Sequence, residues 1–283
     1  MRKYALGIIL FYSWALQGAD ISTPLSQAKW TLQFDSPLQC QLSHDIASFG
    51  QVKIVKQAGE QYSQFVLTSN QVNRLSQKVK FLQLAPPWQP GEQPKELFEA
   101  DYHAHFDLVL GETETQNIIE VLAQGAQTGL LIKSAPHQQY GRVVVQPVNF
   151  QNNFQRYQKC LSRLLDYRFE DIALTVIGYQ HGSERFTLSS LQQLKKIKRY
   201  LALQPEVTAV IISAYTDSYG TPASNKTMSE KRIEALQAYF SDIGIDDRII
   251  VKNAYGEKRF IDSNASEFGR ANNRRVMIEL KRD

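Results

Sequence analysis

The sequence predicts two domains: an N-terminal, mainly antiparallel β domain, then a C-terminal α/β domain with a sheet backed by helices. Three observations predict it. Up to about Tyr140, short runs rich in β-branched and aromatic residues alternate with turn formers. From Phe169 the grammar changes, and strand-like runs alternate with amphipathic helical patterns. The chain has 283 residues, enough for two domains of ordinary size.

The first residues read as a secretory signal. Arg2 and Lys3 form a charged start, and Ala5 to Leu16 is an apolar run too short to span a bilayer comfortably. Gly18-Ala19 offers a small-residue cleavage site, although Gln17 fits the third position back poorly. Residues 1–19 are therefore expected to be removed, with the cut falling there or a residue or two away; the alternative is a membrane anchor that is kept. No cysteine follows the apolar run, which argues against a lipoprotein. No later stretch is apolar enough to cross a membrane, so the cleaved chain is expected not to span one. The formal charge of +4 (32 basic, 28 acidic) falls to +2 when Arg2 and Lys3 are lost. A nearly neutral chain gives no case for nucleic acid, which calls for a strongly basic face.

The expected N-terminal domain covers residues 20–168. Its strand candidates are Lys29–Phe34, Gln51–Lys56, Gln61–Thr68, Lys78–Leu84 and Arg142–Val145. Three prolines in Ala85-Pro86-Pro87-Trp88-Gln89-Pro90-Gly91-Glu92 forbid a central strand and favour an extended surface loop. Trp88 either docks a partner or packs on its own domain. Ile118, Ile119 and Leu122 place one helix at Thr115–Gln124. A further helix over Asn149–Asp166 connects the halves. Cys40 and Cys160 are the two cysteines. In an oxidising compartment they form a disulfide across about 120 residues, worth roughly 4–5 kcal/mol in the chain-entropy model. Otherwise they are two separate buried thiols.

The C-terminal domain is expected over residues 169–283. Asp171–Tyr179 reads as a strand. Thr187 or Ser189 caps a helix with Leu188, Leu191, Leu194, Ile197 and Leu201 on its buried face. Val207–Ala214 is an apolar strand, as expected if both faces are covered. A helix from about Asn225 to Asp242 buries Met228, Leu236, Phe240 and Ile243, and Gly244 ends it. Arg248–Val251 is a strand, Ser266–Ala271 a short helix and Arg274–Leu280 the last strand.

The chemistry gathers at the end of Val207–Ala214, where α/β sheets place ligand sites. Asp217 stands just past that strand. Gly220 lets the following loop take positive φ. Arg232 lies on the next helix, fifteen positions after Asp217. A carboxylate and a guanidinium facing one crevice suit a zwitterion: Asp217 takes an ammonium and Arg232 holds a carboxylate by two parallel hydrogen bonds. Asn225 fixes the loop or offers its amide to the ligand. The bland alternative is an ordinary surface ion pair worth ~0–1 kcal/mol. Arg274 and Arg275 point to opposite faces of a strand, so at most one reaches the crevice; Arg275 is expected on the ligand side and Arg274 in a structural role. His103 and His105 share a strand face but lack a third ligand, so no metal or other cofactor is expected. No phosphate loop, GxSxG elbow or metalloprotease motif is present, and no enzyme activity is expected.

Tyr215-Thr216-Asp217-Ser218-Tyr219-Gly220, then Asn225, Ser229-Glu230-Lys231-Arg232 and Gly269-Arg270-Ala271-Asn272-Asn273-Arg274-Arg275-Val276 together resemble the signature of the OmpA-like peptidoglycan-binding domain. The resemblance covers about Phe169 to Leu280. It implies a non-catalytic wall anchor in the periplasm, with the diaminopimelate of the peptidoglycan stem peptide as ligand. The residues it assigns are Asp217, Asn225 and Arg232, with Thr216, Gly220 and Arg275 beside them. Met228 stands where Leu is usual, and Ile233 replaces a common Ala. Arg259-Phe260 lacks a usual Pro, and Ala254-Tyr255-Gly256 lacks a first Gly.

The rest of the chain resembles the MotY-type T-ring proteins of sodium-driven polar flagellar motors. The matching stretches are Pro37–Leu42, Ser48–Gly50, Pro86–Glu92, Phe150–Asn152 and Cys160–Ala173. This resemblance implies that Cys40 and Cys160 pair. It also implies an N-terminal domain that docks on the flagellar basal body, joins a ring with a partner T-ring protein and helps place stator proteins. A general OmpA- or Pal-like envelope anchor is the alternative. A Pal-type chain would carry a lipid-bearing cysteine and an OmpA-type chain a membrane barrel, and neither pattern is visible.

Overall fold

The structure, a computed structural model, describes residues 20–69, 75–86, 88–89, 91–102, 107–134, 140–180, 183–203 and 207–282. The expected signal segment 1–19, His103 and His105 lie outside them. The described chain divides into two compact units after Leu164. No helix among the described residues is long and apolar enough to cross a membrane.

The N-terminal unit is built on two five-stranded sheets. One contains β2 (Trp30–Asp35), β3 (Gln39–Ile46), β4 (Gly50–Gln57), β5 (Gln64–Thr68) and β8 (Leu108–Val109) in that order. The other runs β1 (Ile21–Ser22), β10 (Tyr140–Val145), β9 (Gln127–Ser134), β6 (Leu75–Leu84) and β7 (Lys95–Asp101). Every pairing is antiparallel except that of β1 with β10. Alternating side chains from both sheets meet in one core, with Leu42, Ile54 and Phe65 on one side and Phe81, Leu130 and Val143 on the other. Phe65 and Phe81 meet edge to face with centroids 6.2 Å apart, a favoured aromatic geometry.

Helices α1 (Glu112–Ala123) and α2 (Phe150–Leu161) close this core with Ile118, Leu122, Phe150 and Tyr157. The second helix is shorter than the Asn149–Asp166 expected, because Asn149 turns left-handed (φ 58°) to start it and Ser162 ends it. Cys40 on β3 and Cys160 on α2 are bonded, with Cα atoms 5.9 Å apart. The bridge thus pins α2 to the sheet. Trp88 is 70% exposed, with one ring edge lying against Gly125.

In the C-terminal unit, one four-stranded sheet has the order β11 (Leu174–Gly178), β14 (Arg275–Lys281), β12 (Ala209–Tyr215), β13 (Ile250–Gly256). Helix α4 (Leu188–Leu201) packs on β11, and α5 (Pro222–Asp242) packs on β12 and β13. A four-residue helix α3 (Glu170–Ala173) precedes β11, and α6 (Glu267–Asn273) precedes β14. Thr187 caps α4 by accepting from the Ser190 amide. Thr221 and Ser224 form a reciprocal capping box at the start of α5, with Pro222 in its first turn.

Four expectations are corrected here. Asp171–Tyr179 is not one strand: its first residues complete α3, and the strand starts at Leu174. Leu188 and Leu191 are exposed, and α4 buries Ser190, Leu194, Ile197, Tyr200 and Leu201 instead. Among the described residues helices cover only one face of the sheet, so the strand expected to be covered on both sides is not. The cross-strand row Leu174, Glu279, Ile211 and Val251 lies on the open face, and its end members Leu174 and Val251 are exposed. Finally, residues 248–249 belong to a 3-10 turn (Asp247–Ile249) rather than to β13.

Candidate functional site: a charged crevice at the end of the C-terminal sheet

A crevice of about 320 Å³ opens where β12 ends. Thr216, Asp217, Tyr219, Gly220, Ser224, Asn225, Met228, Arg232 and Arg274 line it. Helix periodicity explains the α5 contribution: Asn225, Met228 and Arg232 are spaced by three and four and so share one face. The loop from Asp217 to Gly220 folds back across that face. Gly220 takes φ +106°, a region L side chains rarely adopt, and a Cβ there would come 3.0 Å from Ser224 Oγ. Gly269 on α6 is required for a different reason, since a Cβ there would collide with the Ser263 carbonyl oxygen.

Asp217, Arg232 and Arg274 are all buried, with 5%, 1% and 8% of their surfaces exposed. Burying charge is costly unless it is paired. Asp217 is paired with Arg274, whose Nη1 donates to Oδ2 at 2.8 Å, while Oδ1 accepts from the Tyr219 amide at 3.0 Å. Arg274 Nη2 also donates to the exposed Glu267 at 2.7 Å. Burial works against the Arg274 charge, but these two carboxylates more than offset it and raise its pKa. Hydrogen bonds from Arg274, then from Arg270, hold the Glu267 pKa below the usual carboxylate range.

Arg232 has no such arrangement. Its Nη1 donates to the Tyr215 carbonyl at 3.3 Å, and its buried Nε has no hydrogen-bond partner. The Tyr179 ring lies beneath the guanidinium at 4.8 Å and supplies cation–π attraction. Burial lowers the Arg232 pKa, and the neighbouring Arg274 charge adds to that. The bland alternative, an Asp217–Arg232 surface ion pair, is not formed. Both side chains are buried at one crevice, and the carboxylate bonds to Arg274. The crevice therefore holds two cations and one carboxylate, and the buried Thr216 Oγ1 and Arg274 Nε are also without partners.

Asn225 donates through Nδ2 to Glu257 at 2.7 Å, which fixes its amide. Thr216 is held by its backbone, donating to the Gly256 carbonyl at 2.8 Å. Arg275 is a correction. It does not line the crevice. Its guanidinium lies over Tyr215 at 4.1 Å, in a stack continued by Tyr255 and Arg259, and it donates to the Arg259 carbonyl at 3.0 Å. Arg274 caps α6 before β14 begins, so its side chain leans toward the Asp217 loop, and Arg275 faces away as the first strand residue. Among the described residues no group of three or more His, Cys, Asp and Glu is placed to hold a metal ion.

A family model for the MotY N-terminal domain matches residues 22–166, just over half of the chain. The chain belongs to the MotY family. The OmpA family model matches residues 179–274 and contains the whole crevice. One relative of this MotY-family chain is the sodium-type flagellar protein MotY of Vibrio parahaemolyticus. It is 29% identical over 279 residues, which cover 98% of this chain and 95% of that protein. Outer membrane protein A of Bordetella avium is 40% identical over 75 residues, covering 26% of this chain and 39% of its own. Among solved structures, the peptidoglycan-associated lipoprotein of Burkholderia pseudomallei matches with 23% identity and a TM-score of 0.35, covering 38% of this chain and 89% of that one.

Proposed function

We propose that this protein is a non-catalytic periplasmic component of a polar flagellar motor, tethered to peptidoglycan by the crevice of its C-terminal unit. The observation that carries the tether is Arg232, a buried cation whose guanidinium, among the described residues, hydrogen-bonds to a carbonyl and to no carboxylate. A ligand carboxylate would supply the missing partner through two parallel hydrogen bonds. Asp217 spends one acceptor position on each oxygen, and a carboxylate has about four. A ligand ammonium can therefore still approach it. Diaminopimelate carries an ammonium and a carboxylate on one carbon, which is the pair this crevice fits. Asn225, Thr216 and Gly220 shape the loop around the ligand. Arg275 supports from behind Tyr215 rather than touching it.

Family membership supports the rest of the reading. The N-terminal unit docks on the basal body beside a partner T-ring protein and helps hold stator units near the rotor. The disulfide keeps that docking unit intact under load. Microscopy of a deletion strain tests the motor role: intact filaments that barely rotate are expected, with swimming restored by the full-length gene. Normal swimming with a blebbing envelope would indicate a general envelope anchor instead. Co-sedimentation with purified sacculi tests the tether, and binding unchanged by Asp217→Ala and Arg232→Ala would rule out the site.

A further inference from the structure

Helix α2 in the N-terminal unit is one-sided in charge. It contains no Asp or Glu, while Arg156, Lys159 and, in the turn that follows it, Arg163 recur at intervals of three and four. That spacing sets the three along one side of the helix axis. With Ser162 and with Asp35, the last residue of β2, they line a depression of about 450 Å³. Asp35 pairs with Arg163. Among the described residues no ion pair includes Arg156 or Lys159, and both side chains are exposed. Three cations and one carboxylate leave the depression an excess of two positive charges. That equals the excess of the whole chain once Arg2 and Lys3 are lost, so the remainder of the mature chain is balanced.

The strip is held in place before anything binds. Arg156 Nη1 donates to Asn153 Oδ1 at 3.3 Å, and Asn153 Nδ2 is fixed on the Trp30 carbonyl of β2 at 2.9 Å. Ser162 Oγ and Arg163 Nε donate to the Lys159 carbonyl at 2.9 and 3.4 Å. The bridge from Cys160 to Cys40 pins this end of α2 to β3. A surface fixed in advance loses little conformational entropy on binding. Arg156 and Lys159, three positions apart, repel each other in the free protein. An incoming carboxylate would relieve that repulsion.

The chemistry of the lining selects the occupant. No apolar side chain lines the depression, so an anionic membrane would find charge there but no apolar anchor. Arg156 and Arg163 are seven positions apart, about 10 Å along a helix axis, which is more than one small anion spans. Protein carboxylates match the strip. Acidic side chains two residues apart on an extended chain share a face at about 7 Å spacing, and those three or four apart on a helix lie about 5–6 Å apart.

We propose that Arg156 and Lys159, bordered by the Asp35–Arg163 pair, are where the N-terminal unit grips an acidic segment of a partner protein that carries two or more carboxylates on one face. The inference rests on the docking reading of that unit and gives it a surface and a sign of charge. The test uses the full mature chain and basal bodies purified from a strain lacking its gene. Co-sedimentation should show saturable binding that weakens as salt rises from about 0.05 to 0.5 M. Arg156→Glu with Lys159→Glu should weaken binding about tenfold. The thermal transition of the N-terminal unit should stay in place, because both side chains are exposed. Carbodiimide joins a lysine amine to a carboxylate that it touches. In the wild-type complex it should link Lys159 to an Asp or Glu of a basal-body protein, read by mass spectrometry of the digest, and this result decides alone if the double variant is unstable. Equal binding by wild type and a folded double variant would overturn the strip and leave docking to another surface, as would cross-links that never include Lys159. Binding to phosphatidylglycerol vesicles that the double substitution abolishes would assign the strip to lipid and overturn the protein partner. A wild type that does not bind basal bodies would overturn the docking reading, and the strip with it.

Discussion

The two units bury polar groups in opposite ways. In the N-terminal unit, no Asp, Glu, Lys or Arg is buried among the described residues. Its buried polar groups are Thr, Ser, Gln and His, and most bond within the fold. Trp30 donates to the Gln146 carbonyl at 2.8 Å, and Thr115 accepts from the Phe65 amide at 2.9 Å. In the C-terminal unit, Asp217, Arg232, Arg274 and Arg275 are all buried at one end of one sheet. Buried charge is a poor means of stabilising a fold. Its concentration beside a crevice, with Arg232 and Arg275 bonded only to carbonyls among the described residues, is what the proposed ligand site calls for. The N-terminal unit follows the other course, with a shared core and a covalent clasp.

The largest break in this contrast should come from the clasp. Changing Cys40 and Cys160 to Ser removes a link spanning 120 positions, and about 4–5 kcal/mol should be lost from the N-terminal unit in the chain-entropy model. Differential scanning calorimetry should show its transition falling while sacculus binding by the folded C-terminal unit persists. Loss of both would mean that the units are not energetically distinct. Asp217→Ala comes next. It strips Arg274 of its buried partner, and about 3–5 kcal/mol should be lost from the C-terminal unit, read from denaturant midpoints.

Arg275→Met should cost less, about 1–2 kcal/mol, because it removes a cation–π contact and bonds to carbonyls but leaves no charge unpaired. Sacculus binding should be unaffected once the variant is folded, and a selective loss would return Arg275 to the ligand side. The smallest effect is on pH dependence in the N-terminal unit. His44 is buried, stacked at 5.3 Å on Trp30, with Nδ1 on the Lys29 carbonyl and Nε2 without a partner. Burial lowers its pKa from 6.5, outweighing the Lys29 bond and the Asp45 charge. The unfolded state therefore takes up the proton first. The stability from keeping His44 neutral is complete above about pH 6.5 and declines as pH falls below it. Urea midpoints at pH 7.5 and 5 should differ, and His44→Gln should shrink the difference.

Much of this contrast could be read from residues alone. Asp217 and Arg232, fifteen positions apart, line one crevice, Gly220 turns the loop as expected, and Thr187, one of the two caps expected for α4, is the cap. Strand β3 escaped notice because Gln39, Gln41, Ser43 and His44 look like solvent-facing residues. They lie in a central strand, where Gln41 and Ser43 bond each other and Gln33 at 2.7–2.9 Å. The places of Arg274 and Arg275 were illegible for a different reason. Alternation predicts that they diverge but not which one turns inward, and that depends on where α6 hands over to β14. Ile211 and Val251 show the limit of composition, since an apolar strand can leave one face open to solvent.

The central claim is that Arg232 is kept charged and underpartnered for a ligand and not for the fold. Arg232→Met tests it most directly, because methionine fills much of the volume without the charge. Paired measurement of denaturant stability and sacculus co-sedimentation should show a C-terminal unit as stable as the wild type, or about 1 kcal/mol more so, with wall binding lost. A strongly destabilised variant that still binds sacculi once folded would contradict the account.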